Sequence, residues 1–217
     1  MSNLKIVVVT GGHSFEVQPF HQLFGSLPGI EAYIQHTSEF TSEPAEVRDS
    51  YAAVVFYSMF RDTPSDEAPW YEGKPKSALE HLGSSGQGIV ILHHALLAYL
   101  DWPLWDEIVG IQGRAMRSYH PNEHIQIDIA DAQHPILNGL AAWEMVDETY
   151  RMADAGPGNQ VILTTQHPRC LKTVGWTRTY RQSRVFCFQS GHGQATYTDP
   201  NFRAVLANGI RWAAKSL

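Results

Sequence analysis

The amino-acid sequence predicts an α/β fold in which helices cover both faces of a mostly parallel central sheet. Residues 4–10 form a near-continuous β-branched run, which is typical of a strand buried on both faces. Strand-like and helical patterns alternate from there to residue 93, as they do in doubly wound sheets. The second half is richer in short strands and turns, which indicates an antiparallel extension. No linker or repeat interrupts the sequence, so we expect a single domain, 1–217.

Each predicted element follows from its apolar pattern and from the Gly and Pro residues that flank it. The predicted strands cover residues 4–10, 30–35, 52–57, 87–93, 123–130, 161–165 and 184–188. The predicted helices cover residues 15–27, 75–82, 102–109 and 202–214. Residues 58–74 form a long irregular loop, and loops of this length inside compact domains are usually functional or mobile.

Composition narrows the choice of function. The chain carries 22 acidic residues against 16 lysines and arginines, a formal net charge of −6, which argues against a nucleic-acid partner. No apolar run is long enough to cross a bilayer, and the N-terminal sequence lacks the charged start of a secretory signal. Cys170 and Cys187 are too few for a disulfide scaffold. We therefore expect a cytoplasmic protein without a membrane partner, for which a homo-oligomer stays open.

Gly11-Gly12-His13 follows the first predicted strand directly. The glycines could let backbone N–H groups approach a phosphate, but neither the dinucleotide fingerprint nor the Walker pattern is present. A tight turn is therefore the simpler interpretation of the glycines. His13 lies at the carboxyl end of a strand, where ligands of open α/β sheets bind, and it is a candidate site residue.

Residues 88–95 read Gly-Ile-Val-Ile-Leu-His-His-Ala, a buried strand that ends in two histidines and runs straight into a helical pattern. An elbow of this kind usually presents a Ser or Cys nucleophile to the crevice. Because side chains alternate along a strand, one ring can face the crevice while the other faces its surroundings. We expect His94 to be the site residue, since it begins the next helix as a displayed nucleophile would.

Two later motifs add further candidates. Asp147-Glu148-Thr149-Tyr150 combines two carboxylates and a phenol, and the sequence pattern indicates that it lies at a boundary between two segments. A turn would explain this motif equally well. Gly191-His192-Gly193 follows the last predicted strand. Flanking glycines let the backbone come close to a ligand and aim the ring, so His192 is the strongest single-histidine candidate.

His13, His94, Glu148 and His192 come from four chain segments and together make a candidate catalytic set. Three imidazoles and one carboxylate would suit zinc or another first-row divalent ion as ligands. The same groups could act without a metal, with a histidine as general base and the carboxylate orienting it. The residues leave both alternatives open. The lack of Ser or Cys at the elbow argues against acyl-enzyme chemistry.

Aromatic residues in loops and near strand ends favour a ligand with one apolar and one hydroxyl-rich side, such as a sugar. Ordinary packing under long loops would explain most of these rings. The residues expected to contact such a ligand are His93, Asp147, Tyr150, Trp102 and His120.

These motifs, in this order, resemble the ThuA (trehalose utilisation) family over essentially the whole chain. The matching motifs are Gly11-Gly12-His13, Leu92-His93-His94-Ala95 with Trp102-Pro103, His134-Pro135-Ile136 through Gly139-Leu140, Asp147-Glu148-Thr149-Tyr150, Gly191-His192 and Gly209-Ile210-Arg211-Trp212-Ala213-Ala214. The family is similar in fold to the class I glutamine amidotransferases, which implies a flavodoxin-like three-layer sandwich.

In the amidotransferases the elbow carries a cysteine, and the triad histidine follows a late strand. By position, His94 would stand near the missing cysteine and His192 near the triad histidine, so glutamine hydrolysis through a thioester is not expected. The resemblance implies sugar metabolism instead, with a sugar dehydrogenase as functional partner and a 3-keto disaccharide as substrate. The alternative is a non-catalytic ligand-binding or regulatory module on the same scaffold.

Overall fold

The structure is a computed structural model that describes residues 3–67 and 69–217. Its strands are β1 Leu4–Gly11, β2 Ile30–His36, β3 Ala53–Ser58, β4 Gly88–Leu92, β5 Ser118–Ile129, β6 Trp143–Arg151, β7 Gln160–Thr164, β8 Thr173–Tyr180 and β9 Ser183–Phe188. Its α-helices are α1 Val17–Gly25, α2 Thr37–Ser42, α3 Ala45–Arg48, α4 Pro75–Glu80, α5 Pro103–Val109, α6 Gln194–Tyr197 and α7 Pro200–Ala213. Short 3-10 turns cover Trp70–Glu72, His93–Leu97 and Pro135–Leu137.

In the described residues the strands form one sheet in the order β2-β1-β3-β4-β9-β8-β7-β5-β6. The strands from β2 to β9 in this order pair in parallel, whereas those from β9 to β6 pair antiparallel. The expectation of a mostly parallel sheet is therefore wrong, because the sheet is mixed. The difference arises from β6 and β8, two strands that the sequence pattern did not predict and that add antiparallel pairs.

The sequence did not predict β6 because Asp147 and Glu148 place charges in the middle of this strand, a pattern that favours a turn. Both side chains are nevertheless buried, with 3% and 7% of their surface exposed. Pairing with β5 holds the segment extended, and hydrogen bonds to the backbone offset the burial of charge at Asp147. These partners lie far away in the sequence, so no local pattern reveals them.

β5 carries β6 across the carboxyl ends of the parallel strands. Residues 118–127 of β5 pair with β6, whereas Asp128 and Ile129 pair with β7. A register shift between His120 and Glu123 indicates a β-bulge, which bends and twists the strand. The β5–β6 hairpin thereby reaches the turn after β9, although β6 is the last strand in the sheet order.

The core lies on both faces of the central strands. Four consecutive residues of β1, Ile6–Val9, are fully buried, and β3 and β4 are buried along their whole length. Because successive side chains point to opposite faces, this pattern requires packing layers on both sides of the sheet. None of the helices among the described residues is long and apolar enough to cross a membrane.

Arg114 fixes the segment that follows β4. Its guanidinium, 1% exposed, donates hydrogen bonds to the carbonyl oxygens of Leu96 at 2.8 Å, Ala98 at 2.6 Å and Tyr99 at 2.9 Å. Its Nε also pairs with Asp106 of α5 at 2.5 Å. The side chain therefore ties the elbow after β4 to the helix that follows it.

Replacing Arg114 by alanine is expected to lower the free energy of unfolding by about 3–5 kcal/mol, since buried carbonyl groups and Asp106 lose their partner. Urea denaturation monitored by circular dichroism measures this loss. Arg169→Ala is the matched control, because its ion pair with Glu123 at 3.0 Å is on the surface and should contribute less than about 1 kcal/mol. Equal unfolding midpoints for the two variants would contradict the anchoring role.

Candidate functional site

His93 is the elbow residue. β4 ends at Leu92, and His93 follows with a φ of +53°, a left-handed conformation that is uncommon for a residue with a side chain. Strained strand-to-helix turns of this kind display the nucleophile in related α/β folds. The sequence favoured His94 as the displayed residue, whereas the structure places His93 in the strained position and directs its ring to the site.

Three side chains from separate segments meet at the carboxyl edge of the sheet: His93, Glu148 and His192. The His93 Nε2 atom lies 3.3 Å from His192 Nδ1 and 3.6 Å from Glu148 Oε1. His192 Nδ1 lies 3.5 Å from the same Glu148 oxygen. We call these residues the His93–Glu148–His192 cluster. Of the predicted set it contains Glu148 and His192, with His93 in place of His94.

The backbone determines the tautomer of His93. Its Nδ1 atom lies 2.8 Å from the carbonyl oxygen of Gln189, which can only accept, so Nδ1 carries the proton. In the neutral ring of this tautomer Nε2 holds a lone pair, to which the Tyr150 hydroxyl donates at 2.7 Å. Tyr150, which the sequence predicted to contact substrate, therefore touches the cluster directly.

Asp147 positions the turn that carries His192. Its carboxylate accepts hydrogen bonds from the backbone N–H groups of Gly191 at 2.8 Å, His192 at 3.0 Å and Glu148 at 2.8 Å. On the opposite side of the turn, the Tyr197 hydroxyl donates to the His192 carbonyl at 3.1 Å. Asp147 was predicted to contact substrate, and in the structure its carboxylate is engaged by the turn.

His94 and His13 lie beside the cluster. His94 Nε2 donates to the Tyr57 carbonyl oxygen at 2.8 Å, and its buried Nδ1 has no hydrogen-bond partner among the described residues. The ring packs against His13 with centroids 4.4 Å apart. His13 Nδ1 contacts the Ser14 carbonyl at 2.7 Å. Their predicted catalytic roles stay predictions, but neither belongs to the cluster.

Trp102 and His120 lie elsewhere. Trp102 is buried at the start of α5 and packs against the ring of Tyr99. His120 lies in β5 opposite Thr149, with Nε2 3.1 Å from the Ser118 hydroxyl. Neither lines the two cavities that border the cluster in the described part of the chain. Their predicted contact with substrate has no support in the geometry.

Two cavities, of about 550 Å³ and 580 Å³, open beside the cluster. His13, Glu148 and His192 line both of them. Cavities of this size accommodate small organic ligands. Groups held in either cavity can therefore reach the same imidazole and carboxylate.

At neutral pH the cluster pairs the ionised carboxylate of Glu148 with the neutral imidazole of His192. Burial alone would raise the pKa of Glu148, but the hydrogen bond and charge of His93, with the charge of His192, outweigh it and lower the pKa below 4.5. Burial, followed by the charge of His93, lowers the pKa of His192 below 6.5. Burial also raises the pKa of Tyr150 well above 10, so its hydroxyl stays protonated.

Sequence reasoning missed the residues that hold the cluster in place. Gln189 supplies the carbonyl that orients His93 and, through its side-chain amide, donates to the Glu148 carbonyl at 2.9 Å. Tyr57, the penultimate residue of β3, donates to the Gly191 carbonyl at 2.8 Å. Tyr57 is the last residue of one predicted strand and Gln189 directly follows another, and this position at a carboxyl end is the one signal that could have identified them.

The pKa of His192 gives a direct test of this electrostatic balance. An NMR titration of labelled imidazole is expected to place its midpoint below 6.5. In Glu148→Gln the midpoint should fall further, because the carboxylate charge that favours the imidazolium is gone. Glu144→Gln, an exposed carboxylate of the same strand, is the control and should leave the midpoint unchanged. A midpoint above 6.5, or no change in Glu148→Gln, would overturn the assignment.

The fold is shared with solved structures of low sequence identity. A ThuA-like protein from Parabacteroides merdae is 21% identical, with a TM-score of 0.73 over 98% of this chain and 90% of that one. A ThuA-like protein from Bacteroides uniformis is 19% identical, with a TM-score of 0.76 over 98% and 92%. A glutamine amidotransferase from Thermotoga maritima is 8% identical, with a TM-score of 0.61 over the full length of both chains.

These likenesses confirm the expected relation to the amidotransferase-like α/β fold. No curated protein matches the sequence. The family model described as ThuA, trehalose utilisation, matches residues 5–213, which include the elbow, the β6 carboxylates and the Gly191-His192 turn. The chain therefore belongs to the ThuA family.

Proposed function

We propose that the chain is an enzyme of carbohydrate metabolism that acts on a disaccharide, or a related sugar, carrying a 3-keto group. The family description, trehalose utilisation, supports a carbohydrate-related role. The observation that carries the proposal is the His93–Glu148–His192 cluster, which borders two cavities at the carboxyl edge of the sheet. A neutral imidazole beside an ionised carboxylate is suited to general acid–base catalysis.

The chemistry is a proton transfer followed by elimination. A ketone at C3 of a sugar acidifies the hydrogen on C2. His192 takes that proton, the electron pair forms a double bond between C1 and C2, and the glycosidic C1–O bond breaks. The imidazolium then gives the proton to the leaving oxygen, so the products are an unsaturated keto sugar and a free alcohol.

His192 is the best-placed base. Its side chain is 42% exposed and lines both cavities, whereas His93 is fully buried. Its lowered pKa keeps the imidazole neutral at pH 7. Asp147 holds its backbone, and Glu148 lies beside its ring. A base held in this way can reach a proton on a ligand in either cavity.

The elbow favours this chemistry over glutamine hydrolysis. His93 stands where a thiol nucleophile would be needed. Burial raises the pKa of the Cys170 thiol to about 12, and Cys187 is fully buried, so neither is activated. The ketone must come from a reaction that oxidises a sugar hydroxyl, so a sugar dehydrogenase is the proposed functional partner, in the cytoplasm.

Replacing His192 by alanine is expected to reduce turnover of 3-keto-trehalose about 100-fold or more, because the base is lost. Product formation is followed by chromatography, and circular dichroism checks that the fold persists. His21→Ala, an exposed histidine on α1, is the matched control and should keep full activity. Undiminished turnover by the His192→Ala protein would refute the proposal. A sugar that raises the melting temperature without any product would indicate the binding-module alternative.

The proposal also has a metal-dependent extension, for which zinc is the best match and in which His192 is a metal ligand rather than the base. Ligand atoms about 2.0–2.2 Å from one zinc ion in tetrahedral geometry lie about 3.3–3.6 Å apart. The three ligand atoms of the cluster are separated by 3.3, 3.5 and 3.6 Å. His93 also donates its other ring N–H to a backbone carbonyl, as metal-bound histidines do. When bound, such an ion would polarise the ketone as a Lewis acid.

Zinc titration by calorimetry tests this extension. We expect binding by the parent protein and at least about 10-fold weaker binding by Glu148→Gln, which lacks the anionic ligand. Tyr150→Phe should bind more tightly, because the Tyr150 hydroxyl occupies the His93 Nε2 lone pair in the free protein. His124→Ala removes a histidine from an exposed His–Glu pair and is the control. Equal affinities of the parent and Glu148→Gln proteins would rule out the site.

A further inference from the structure

The two cavities beside the cluster differ in their chemistry. The first, which we call the polar cavity, is lined away from the cluster by the polar side chains of Ser14, Glu16, Asn122, Gln194 and Thr196 and also by the apolar side chains of Phe15, Val146 and Ala195. The second, which we call the apolar cavity, is lined away from the cluster mainly by the apolar side chains of Met59, Leu97, Leu100, Ala115, Met116 and Pro121 and by the ring of Tyr119. The two cavities share His13, Glu148 and His192, so the reactive groups lie between a lining with several polar side chains and a lining that is mainly apolar.

The polar cavity offers hydrogen-bond partners for hydroxyl groups. The side chains of Ser14, Asn122 and Gln194 are exposed to it rather than buried in the protein. Glu16 accepts a hydrogen bond from the backbone N–H of Gln194, which joins the start of α1 to the turn that carries His192. A hydroxyl-rich sugar ring placed here has donors and acceptors around it.

The apolar cavity offers few such partners. Apart from the residues at the cluster, its polar lining includes Arg61, which is exposed, and His94, which is buried with Nε2 bonded to Tyr57. Sugar hydroxyl groups placed against Leu97, Leu100 and Met116 would lose their hydrogen bonds to water without replacement. An apolar group placed there would instead gain by leaving water.

We infer that the substrate is a glycoside of two unlike parts: a keto sugar held in the polar cavity and an aryl or alkyl leaving group held in the apolar cavity. This inference rests on the proposed function, in which the C1–O bond of a glycoside is broken at the cluster. It places the keto sugar on one side of that bond in the polar cavity and the leaving group on the other side in the apolar cavity. The leaving alcohol is then an apolar one, such as a phenol, rather than a second sugar.

The leaving-group preference is tested with two substrates, phenyl 3-keto-glucoside and 3-keto-trehalose, and with Met116→Glu. The parent should turn over the phenyl glycoside with a kcat/KM about 10-fold or more above that of the disaccharide. Met116→Glu places a carboxylate in the apolar cavity, so it should lower kcat/KM for the phenyl glycoside about 10-fold and for the disaccharide less than about 3-fold. Val17→Glu makes the same kind of change at an exposed apolar residue outside both cavities and is the control.

The outcomes separate the two proposals. A kcat/KM for 3-keto-trehalose equal to or above that of the phenyl glycoside, or an equal loss of both in Met116→Glu, overturns the leaving-group inference and leaves the proposed function standing. Turnover of neither substrate overturns the proposed function. The cavity assignment is then decided by affinities measured by calorimetry: tighter binding of phenyl glucoside than of trehalose, lost in Met116→Glu, supports it, and the reverse order overturns it.

Discussion

The buried carboxylate of Asp147 is the interaction on which the geometry of the site depends. It accepts backbone N–H groups from Glu148, Gly191 and His192, and so ties β6 to the turn after β9. These strands are four places apart in the sheet order. Only because the β5–β6 hairpin folds over the carboxyl edge does a carboxylate of the antiparallel half meet imidazoles of the parallel half. The same bonds that place His192 also offset the cost of burying the charge of Asp147.

An imidazole at the elbow changes what this fold can do. A thiol there attacks a carbonyl, whereas a neutral imidazole acts as base, hydrogen-bond acceptor or metal ligand. The left-handed backbone of His93 costs about 1–3 kcal/mol, and the bonds to Gln189 and Tyr150 hold it in place. Glu148 raises the pKa of His192 while His93 lowers it. The protonation of His192 therefore depends on both of its neighbours in the cluster.

The sequence placed Glu148 and His192 in one candidate site, but it ranked His94 above His93, whereas His93 is the ring that lies in the cluster. Alternation along a strand separates the two rings only while the strand continues. The chain leaves strand geometry at His93, where φ becomes positive, so strand alternation does not determine where the rings of His93 and His94 point. The sequence could not predict the two cavities either, because their linings combine side chains from loops and strands that are distant in the chain.

The sequence by itself determined the parallel half of the sheet and its carboxyl edge, because buried β-branched runs and the glycines that end them are local signals. The order of the motifs likewise determined the family. Only the tertiary structure decided that β6 is a strand and that Glu148 meets His93 and His192. The physical reason is that buried charges are stabilised by partners such as the His192 N–H, 45 residues from Asp147 in the chain, and no local pattern encodes such a partner.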